Sequence, residues 1–327
     1  MAKRQVGFLG LGAFLPERVL ANHDLEKMVA TSDEWIQTRT GIRERRIVEK
    51  GTATSDLAAK AAAEAIQSAG LKPTDLDLII VATVSPDMIF PSTACIVQHK
   101  IGARCPAFDL SAACSGFPYA IAVAEGLIRS GGYKRILVIG AEVISGFINW
   151  KDRSTCVLFG DGAGAAVLGE VEEGHGILAT YLGSDGGQAN LLHIPAGGSR
   201  IPPSSDSVNA GLHYVQMDGS EVFKAAVRTM SDSVAEVVKR AHVKVEDIDC
   251  VIPHQANLRI LNAVSERTGL PLEKFYINLE RYGNMSAAST IVALYEAVKN
   301  KRIQKNSNVV LVAFGGGLTW AACAVRW

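Results

Sequence analysis

No two cysteines in this chain stand at the spacing of a metal-ligand pair or a redox motif. The six, Cys95, Cys105, Cys114, Cys156, Cys250 and Cys323, are scattered along 327 residues, so structural zinc and thiol–disulfide exchange are both disfavoured. Most have apolar neighbours, as in "DCVIP" and "AACAV", where a free cysteine behaves as a small core residue. All but Cys114 read as reduced thiols of a cytosolic protein. Net charge is missing as well: 33 Lys+Arg balance 33 Asp+Glu. No global field therefore draws the chain to nucleic acid or lipid. Nor does any apolar run approach the roughly 18 residues that a membrane span needs. The opening "MAKRQVGFLGLGAFLPERV" has a basic head, but Pro16 and Glu17 break its apolar run, which predicts no signal peptide. The expected location is the cytoplasm.

What remains is a chain 48% hydrophobic, with 31 glycines. That composition describes a large-cored α/β protein if the glycines mark turns between strands and helices. Two segments match without gaps: "LKPTDLDLII" begins at Leu71 and "VKVEDIDCVI" at Val243, 172 residues apart. Each follows a long helical pattern and leads into a short β-branched run that reads as a buried strand. A second pair, "RILVI" from Arg135 and "NVVLV" from Asn308, is offset by 173. Two independent offsets in agreement imply an internal duplication. The halves are placed at residues 1–175 and 176–327, with "EVEEGHGI" at the boundary and Ser204 to Gln216 the most loop-like stretch. Each half reads strand, helix, strand, helix, strand, helix, strand, strand. This pattern implies mixed sheets covered by helices.

Within that frame one thiol stands out. Cys114, in "FDLSAACSGFPYAIAVAEGLI", sits where a small-residue turn enters an apolar helix. A cysteine at a helix N-terminus sees partial positive charge, which favours thiolate and so attack on a thioester or amide. Buried cysteine is common, however, and alone this one is weak evidence. Adding the repeat offset to Cys114 reaches residue 286, within two of Asn284 in "RYGNMSAASTIVALYEAV". The helices Gly116 to Ile128 and Ser286 to Val298 are the most uniformly apolar of their halves and are expected to be central and buried. "CVIPHQAN" puts His254 just past a strand's carboxyl end, where ligands gather in α/β sheets. His99, His175, His193 and His242 have no second chemical group beside them. Asn284 reads equally as a helix cap. "GGG" at Gly315 to Gly317, directly after a buried strand, suits either a tight hairpin or backbone donors of an oxyanion hole. "FGDGAGAAVLG", from Phe159, lacks the Lys-Ser of a phosphate loop and reads as a turn.

"AACSGF", "PHQAN", "GNMSAAS" and "FGGGLTW", in that order and spacing, resemble the β-ketoacyl-acyl-carrier-protein synthase III family of the thiolase superfamily. "TSDEWIQTRTGIRERR" and "DRSTCVLFGDGAGAAVL" are similar to the same family, so the resemblance runs from Met1 to Trp327. It implies a thiolase-like duplicated fold of five layers (αβαβα), with two mixed sheets and central buried helices, in a homodimer. The implied enzyme is an acyltransferase without cofactor or metal. It condenses an acyl-CoA primer, acetyl-CoA being expected, with malonyl-acyl-carrier protein, releasing CO2 and CoA and initiating type II fatty-acid synthesis. Neither nucleic acid nor membrane is an implied partner.

Carried over by position, the resemblance makes Cys114 the nucleophile and His254 and Asn284 its partners. The backbone N–H groups of Cys114 and Gly316 become the oxyanion donors. It implies that Trp35 and Arg153 sandwich the CoA adenine beside Thr31 and Arg39, and that Gly219, Phe223 and Asn257 line the pantetheine tunnel. Phe90 matches the residue that a partner subunit inserts toward the acyl pocket, whose floor includes Leu158. Family members often carry lysines shortly after "HQANLR"; here the stretch is "ILNAVSERTG", leaving Lys224, Arg259 and Arg267 as candidates for carrier docking. Three alternatives stay open: a chalcone-synthase-type enzyme, a Cys-His-Asn hydrolase, and a non-catalytic acyl-CoA-binding protein. A biosynthetic thiolase would need a second reactive cysteine, and Cys323 reads as strand core.

Overall fold

The structure, a computed structural model, describes residues 4–327. Its first half runs β1 (Val6–Phe14), α1 (Asp33–Thr40), α2 (Thr54–Ser68), β2 (Leu78–Ala82), α3 (Thr93–Ile101), β3 (Ala107–Leu110), α4 (Gly116–Arg129), β4 (Ile136–Glu142) and β5 (Gly162–Glu170). The second runs β6 (Gly176–Ser184), α5 (Gly219–Ala241), β7 (Cys250–Pro253), α6 (Leu258–Thr268), α7 (Ala287–Lys299), β8 (Asn308–Gly315) and β9 (Thr319–Arg326). Apart from α1, the first half follows the alternation read from the sequence.

The sheets carry the duplication. In the first the strand order is β1-β5-β4-β2-β3, and in the second β6-β9-β8-β7. Pairing agrees position by position: β1 with β5 and β5 with β4 are antiparallel, as are β6 with β9 and β9 with β8. The inner pairs β2–β4 and β7–β8 are parallel, with Ile79 opposite Leu137 and Val251 opposite Val310. Those registers reproduce the two sequence offsets, 172 for one strand and 173 for its neighbour. One strand departs. The counterpart of β3 has shrunk to a single parallel bridge between Phe275 and Val251.

β2 and β4 are buried along their whole length, as expected of strands covered on both faces. On one side α2 and α3 pack through Leu57, Ala61, Ala65 and Val97 onto Ile79, Val81 and Ile139. On the other, Phe117 and Ile121 of α4 and Ile291 and Leu294 of α7 share one core with Ile80 and Val138 of the first sheet and Ile252 and Leu311 of the second. Outside the second sheet, α5 and α6 bury Met230, Val234, Leu261 and Val264. The order is therefore helix, sheet, helix, sheet, helix. The two helices expected to be central are central, with ends within a residue of the sequence reading. Ser204 to Gln216 contains one short helical turn, Ser205–Asn209.

Glycines set how closely α7 approaches the first sheet. A Cβ at Gly140 would collide with the Ala287 carbonyl, and one at Gly164 with the Ile291 side chain. The "GDGAG" stretch is thus turn and strand, and its glycines make room for a helix. Its aspartate, Asp161, is fully used by Val48 N, Ser145 N and Ser145 Oγ at 2.6 to 2.9 Å. Gly140→Ala is expected to push the start of α7 outward and destabilise by about 1–3 kcal/mol, the usual cost of overpacking a filled core. A fall in the urea midpoint with unchanged slope would register it, and an unaltered midpoint would contradict the packing described.

Candidate active site

Cys114 lies in a single helical turn, Ala113–Ser115, directly before α4. Ala113 has φ +46°, a conformation costing an L-residue about 1–3 kcal/mol. Neighbours hold it: Ser115 Oγ donates to the Thr319 carbonyl at 3.1 Å, and Thr319 Oγ1 donates to the Ala112 carbonyl at 2.9 Å. The Cys114 turn is thereby tied to the β8–β9 hairpin of the other half. At that hairpin Gly315 comes so near the Cys114 amide that a Cβ there would strike Cys114 N. Glycine is required by this approach.

His254 follows β7 and continues its ladder, donating its N–H to the Val312 carbonyl at 2.7 Å. Gln255 pins the loop. Its Nε2 donates to the Pro253 and Tyr276 carbonyls at 2.9 and 3.0 Å, and its Oε1 accepts from Asn278 N. Asn284 is bridged to Phe159, donating its N–H to the Leu158 carbonyl and accepting from Gly160 N. Its Oδ1 accepts from Ser286 N at 2.8 Å, which leaves Nδ2 as the group able to donate. The cap reading of Asn284 does not hold, because α7 begins at Ala287 and its capping position is Ser286. Ser286 also has φ +46°. It and Ala113 are 173 residues apart, so the repeat equivalent of Cys114 is Ala287, and Asn284 lies three residues before it.

These elements converge. Cys114, His254 and Asn284 line one narrow cavity of ≈ 90 Å³ with Gly219, Phe223 and Asn257. Leu158 also lines it. Cys114 opens as well onto a second cavity of ≈ 400 Å³, shared with Gly316 and walled by Val84, Ile144, Phe159, Ile194 and Val215. Sequence reasoning missed these five. Val84 and Ile144 follow β2 and β4, and the rule that ligands lie beyond strand carboxyl ends would have pointed to both. Asn257 has a second role, its side chain accepting from Arg259 N at the start of α6.

The site is dry. The three side chains are buried, and burial governs their protonation. Burial pushes the Cys114 thiol up to about 12, with a nearby carboxyl, Glu142, adding to the rise. Burial therefore favours the thiol over the thiolate expected from the helix N-terminus. Burial likewise drives His254 down to about 3. Its imidazole is neutral, and Nδ1 has no hydrogen-bond partner.

The other positions from the sequence lie toward the surface. The Arg153 guanidinium stacks on Trp35 at 4.7 Å and Arg39 on the same ring at 5.1 Å. Arg153 is steadied by the Ala30 carbonyl at 2.8 Å. Thr31 Oγ1 is buried and unpartnered. Lys224 pairs with Glu221 and Arg267 with Asp232, whereas Arg259 lies over the Phe223 ring at the cavity. Phe90 is 80% exposed beside Ile89 at 78%.

Two family profiles match the chain: 3-oxoacyl-acyl-carrier-protein (ACP) synthase III over residues 108–186, and the C-terminal region of the same enzyme over 238–327. The β-ketoacyl-acyl-carrier-protein synthase III of Caldanaerobacter subterraneus subsp. tengcongensis is 56% identical, covering 99% of this chain and 98% of its own. That of Clostridioides difficile is 55% identical over 99% and 98%. The chain belongs to the β-ketoacyl-acyl-carrier-protein synthase III family. A solved synthase III from Aquifex aeolicus superposes with a TM-score of 0.92 at 49% identity, covering 98% of this chain and all of the other. The thiolase-like fold and the class of condensing acyltransferase follow from this membership. No helix among the described residues is long and apolar enough to cross a membrane.

The neutral histidine makes acid stability a test of the site. His254 has a folded pKa below its unfolded value near 6.5, so the unfolded chain gains the proton first. Its contribution is fully present above 6.5 and declines as pH falls toward 3, by at most about 1.4 kcal/mol per pH unit. In urea titrations between pH 7 and 4, His254→Gln is expected to show a shallower loss of stability by that slope. Equal slopes would mean that the imidazole is hydrated.

Proposed function

We propose that this synthase joins an acyl-CoA primer to malonyl-acyl-carrier protein. The products are 3-oxoacyl-acyl-carrier protein, CoA and CO2, and the reaction opens type II fatty-acid synthesis. One observation carries the assignment of residues: a thiol, a neutral imidazole and a carboxamide from distant parts of the chain line one narrow, buried cavity. In this reading Cys114 attacks the primer thioester while the backbone N–H groups of Cys114 and Gly316 receive the developing oxyanion. CoA leaves and malonyl-carrier takes its place. Loss of CO2 gives an enolate, whose oxygen is met by His254 and by Asn284 Nδ2. Both donors are uncharged, so neither needs a counter-ion in the dry site. The enolate carbon then attacks acyl-Cys114. Every group that this scheme uses is an amino-acid side chain or backbone amide, and it calls for no cofactor.

The remaining placements belong to the same proposal. The adenine of CoA enters between Trp35 and Arg153, beside Thr31 and Arg39, parting the stack that Trp35 and Arg153 form. Pantetheine follows Gly219, Phe223 and Asn257 to Cys114. The primer chain occupies the larger cavity, which Phe90 of a second subunit would close, so the exposed apolar loop at residues 88–90 supports a homodimer. Leu158 bounds the acyl end. Arg259 at the mouth, with Lys224 and Arg267, receives the acidic carrier. Residues 1–175 and 176–327 are the two thiolase-like halves, working in the cytoplasm.

The experiment offers acetyl-, isobutyryl- and hexanoyl-CoA with malonyl-carrier, reading Cys114 acylation by intact mass and CO2 release together. At least one primer is expected to load wild type and none to load Cys114→Ala. A protein that loads none does not perform this reaction. A hydrolase would turn over without malonyl-dependent CO2. Asn284→Asp is expected to load normally but lose about 10²-fold or more in CO2 release, because a carboxylate repels malonate and enolate alike.

A further inference from the structure

Glu142, the last residue of β4, is fully buried and has no place in the scheme above. The three residues that follow β2 enclose its carboxyl with donors. Ser85 Oγ donates at 2.5 Å, Ser85 N at 3.1 Å, Thr83 Oγ1 at 3.2 Å and Val84 N at 3.2 Å. No cation meets it. Its carboxyl also faces the Ser286 hydroxyl, which lies against the Cys114 thiol as well; each contact favours the ionised partner. The Ser286 Oγ is buried and makes no close hydrogen bond to either, while its backbone is held by Asn284 Oδ1. A buried hydroxyl thus stands between a nucleophilic sulfur and a buried carboxyl.

We propose that Glu142, acting through the Ser286 hydroxyl, receives the proton of Cys114 when acyl-CoA loads the enzyme. The step rests on Cys114 being the acyl carrier. As sulfur bonds to the carbonyl carbon, its proton passes to Ser286 Oγ and the Ser286 proton passes to the Glu142 carboxylate. Collapse of the tetrahedral adduct breaks the bond to the CoA sulfur, which departs as thiolate. The proton held by Glu142 returns through Ser286 to that thiolate. Acyl-CoA and a thiol become acyl-cysteine and CoA, with nothing gained or lost.

Protonation states agree with this division of labour. Burial raises Glu142 to about 7, so part of it is ionised at neutral pH. His254, at about 3, is a far poorer acceptor for so weak an acid as Cys114. The titratable group facing Glu142 is Cys114 itself. Asp161, next to the Gly162 that pairs with Glu142, is occupied by Ser145 and Val48. Asp87, further along the loop after β2, is held by Ser55, where Lys100 also binds.

The test is single-turnover acylation of Cys114 by a primer that loads wild type, quenched and read by intact mass from pH 5 to 9. Ionised Glu142 is the acceptor, so the wild-type rate should fall about tenfold per pH unit below a break near 7. Glu142→Gln should be at least about tenfold slower at pH 8 and show no break near 7, its residual rate rising with the thiolate fraction across the whole range. Ser286→Gly, whose backbone suits φ +46°, should lose the same break, and the double variant should be no slower than the slower single. A Glu142→Gln protein that keeps the wild-type break overturns the inference, as do single-variant losses that multiply. If Glu142→Gln does not fold, Ser286→Gly decides alone, since it leaves the Thr83 and Ser85 contacts intact. Should wild type itself fail to acylate, it is the proposed function that falls.

Discussion

Two apolar helices, α4 and α7, lie buried together between two sheets, and the site exists because their first turns meet there. A helix start normally seeks water for its unpaired amides. Here both starts are inside the protein, and bonds to neighbouring segments fix the turns that lead into them. Asn284 Oδ1 takes the Ser286 amide. The Ser115 hydroxyl and the Ala112 carbonyl engage Thr319 from the opposite half. Strained φ angles at Ala113 and Ser286 are tolerated because packing on all sides determines the backbone more strongly than local preference does.

Burial of the reacting groups follows from that arrangement and selects the chemistry. A buried site resists standing charge, so the groups in it rest neutral or nearly so: a thiol, an imidazole, a carboxamide and a carboxyl with its ionisation moved toward neutrality. Neutral donors hold their orientation without attracting counter-ions and act most strongly on charge that appears during reaction. Each intermediate in a decarboxylative condensation carries such charge, first on a tetrahedral oxygen and then on an enolate. A permanently charged site would bind malonate or repel it before any bond changed.

The architecture was legible because duplication repeats its signal. Helix–strand echoes at Leu71 and Val243, and again at Arg135 and Asn308, recur in the registers of the parallel pairs. The central helices could be read from uninterrupted apolar composition alone. That Cys114, His254 and Asn284 would come together was legible from motif context, and they line one cavity. Less visible was whatever depends on burial by distant residues. The helix N-terminus suggested a thiolate, yet the walls around Cys114 come from both halves and no local pattern reports them. Glu142 reads as one carboxylate at a strand end, and its meaning comes from Ser286, over 140 residues away. The third strand of the second half could not be foreseen as a single bridge at Phe275, since its chain still reads as strand-like.

The duplication also explains how one scaffold position came to hold two functions. By the 173-residue offset that aligns β4 with β8, Glu142 and Gly315 are counterparts, as are Ala113 and Ser286. Each strained turn packs against the strand end of the opposite half: Ala113 and Cys114 against Gly315, Ser286 against Glu142. At one crossing the strand end has no side chain, and the backbone comes close to the Cys114 amide, as the proposed oxyanion site requires. At the other it carries a carboxyl long enough to reach the hydroxyl beside the thiol. In the proposed reaction, exchanging the two would put a carboxylate where the oxyanion forms and leave the thiol without an acceptor. The symmetry supplies two equivalent crossings, and the difference in one side chain makes the first suited to receive negative charge and the second suited to take up a proton.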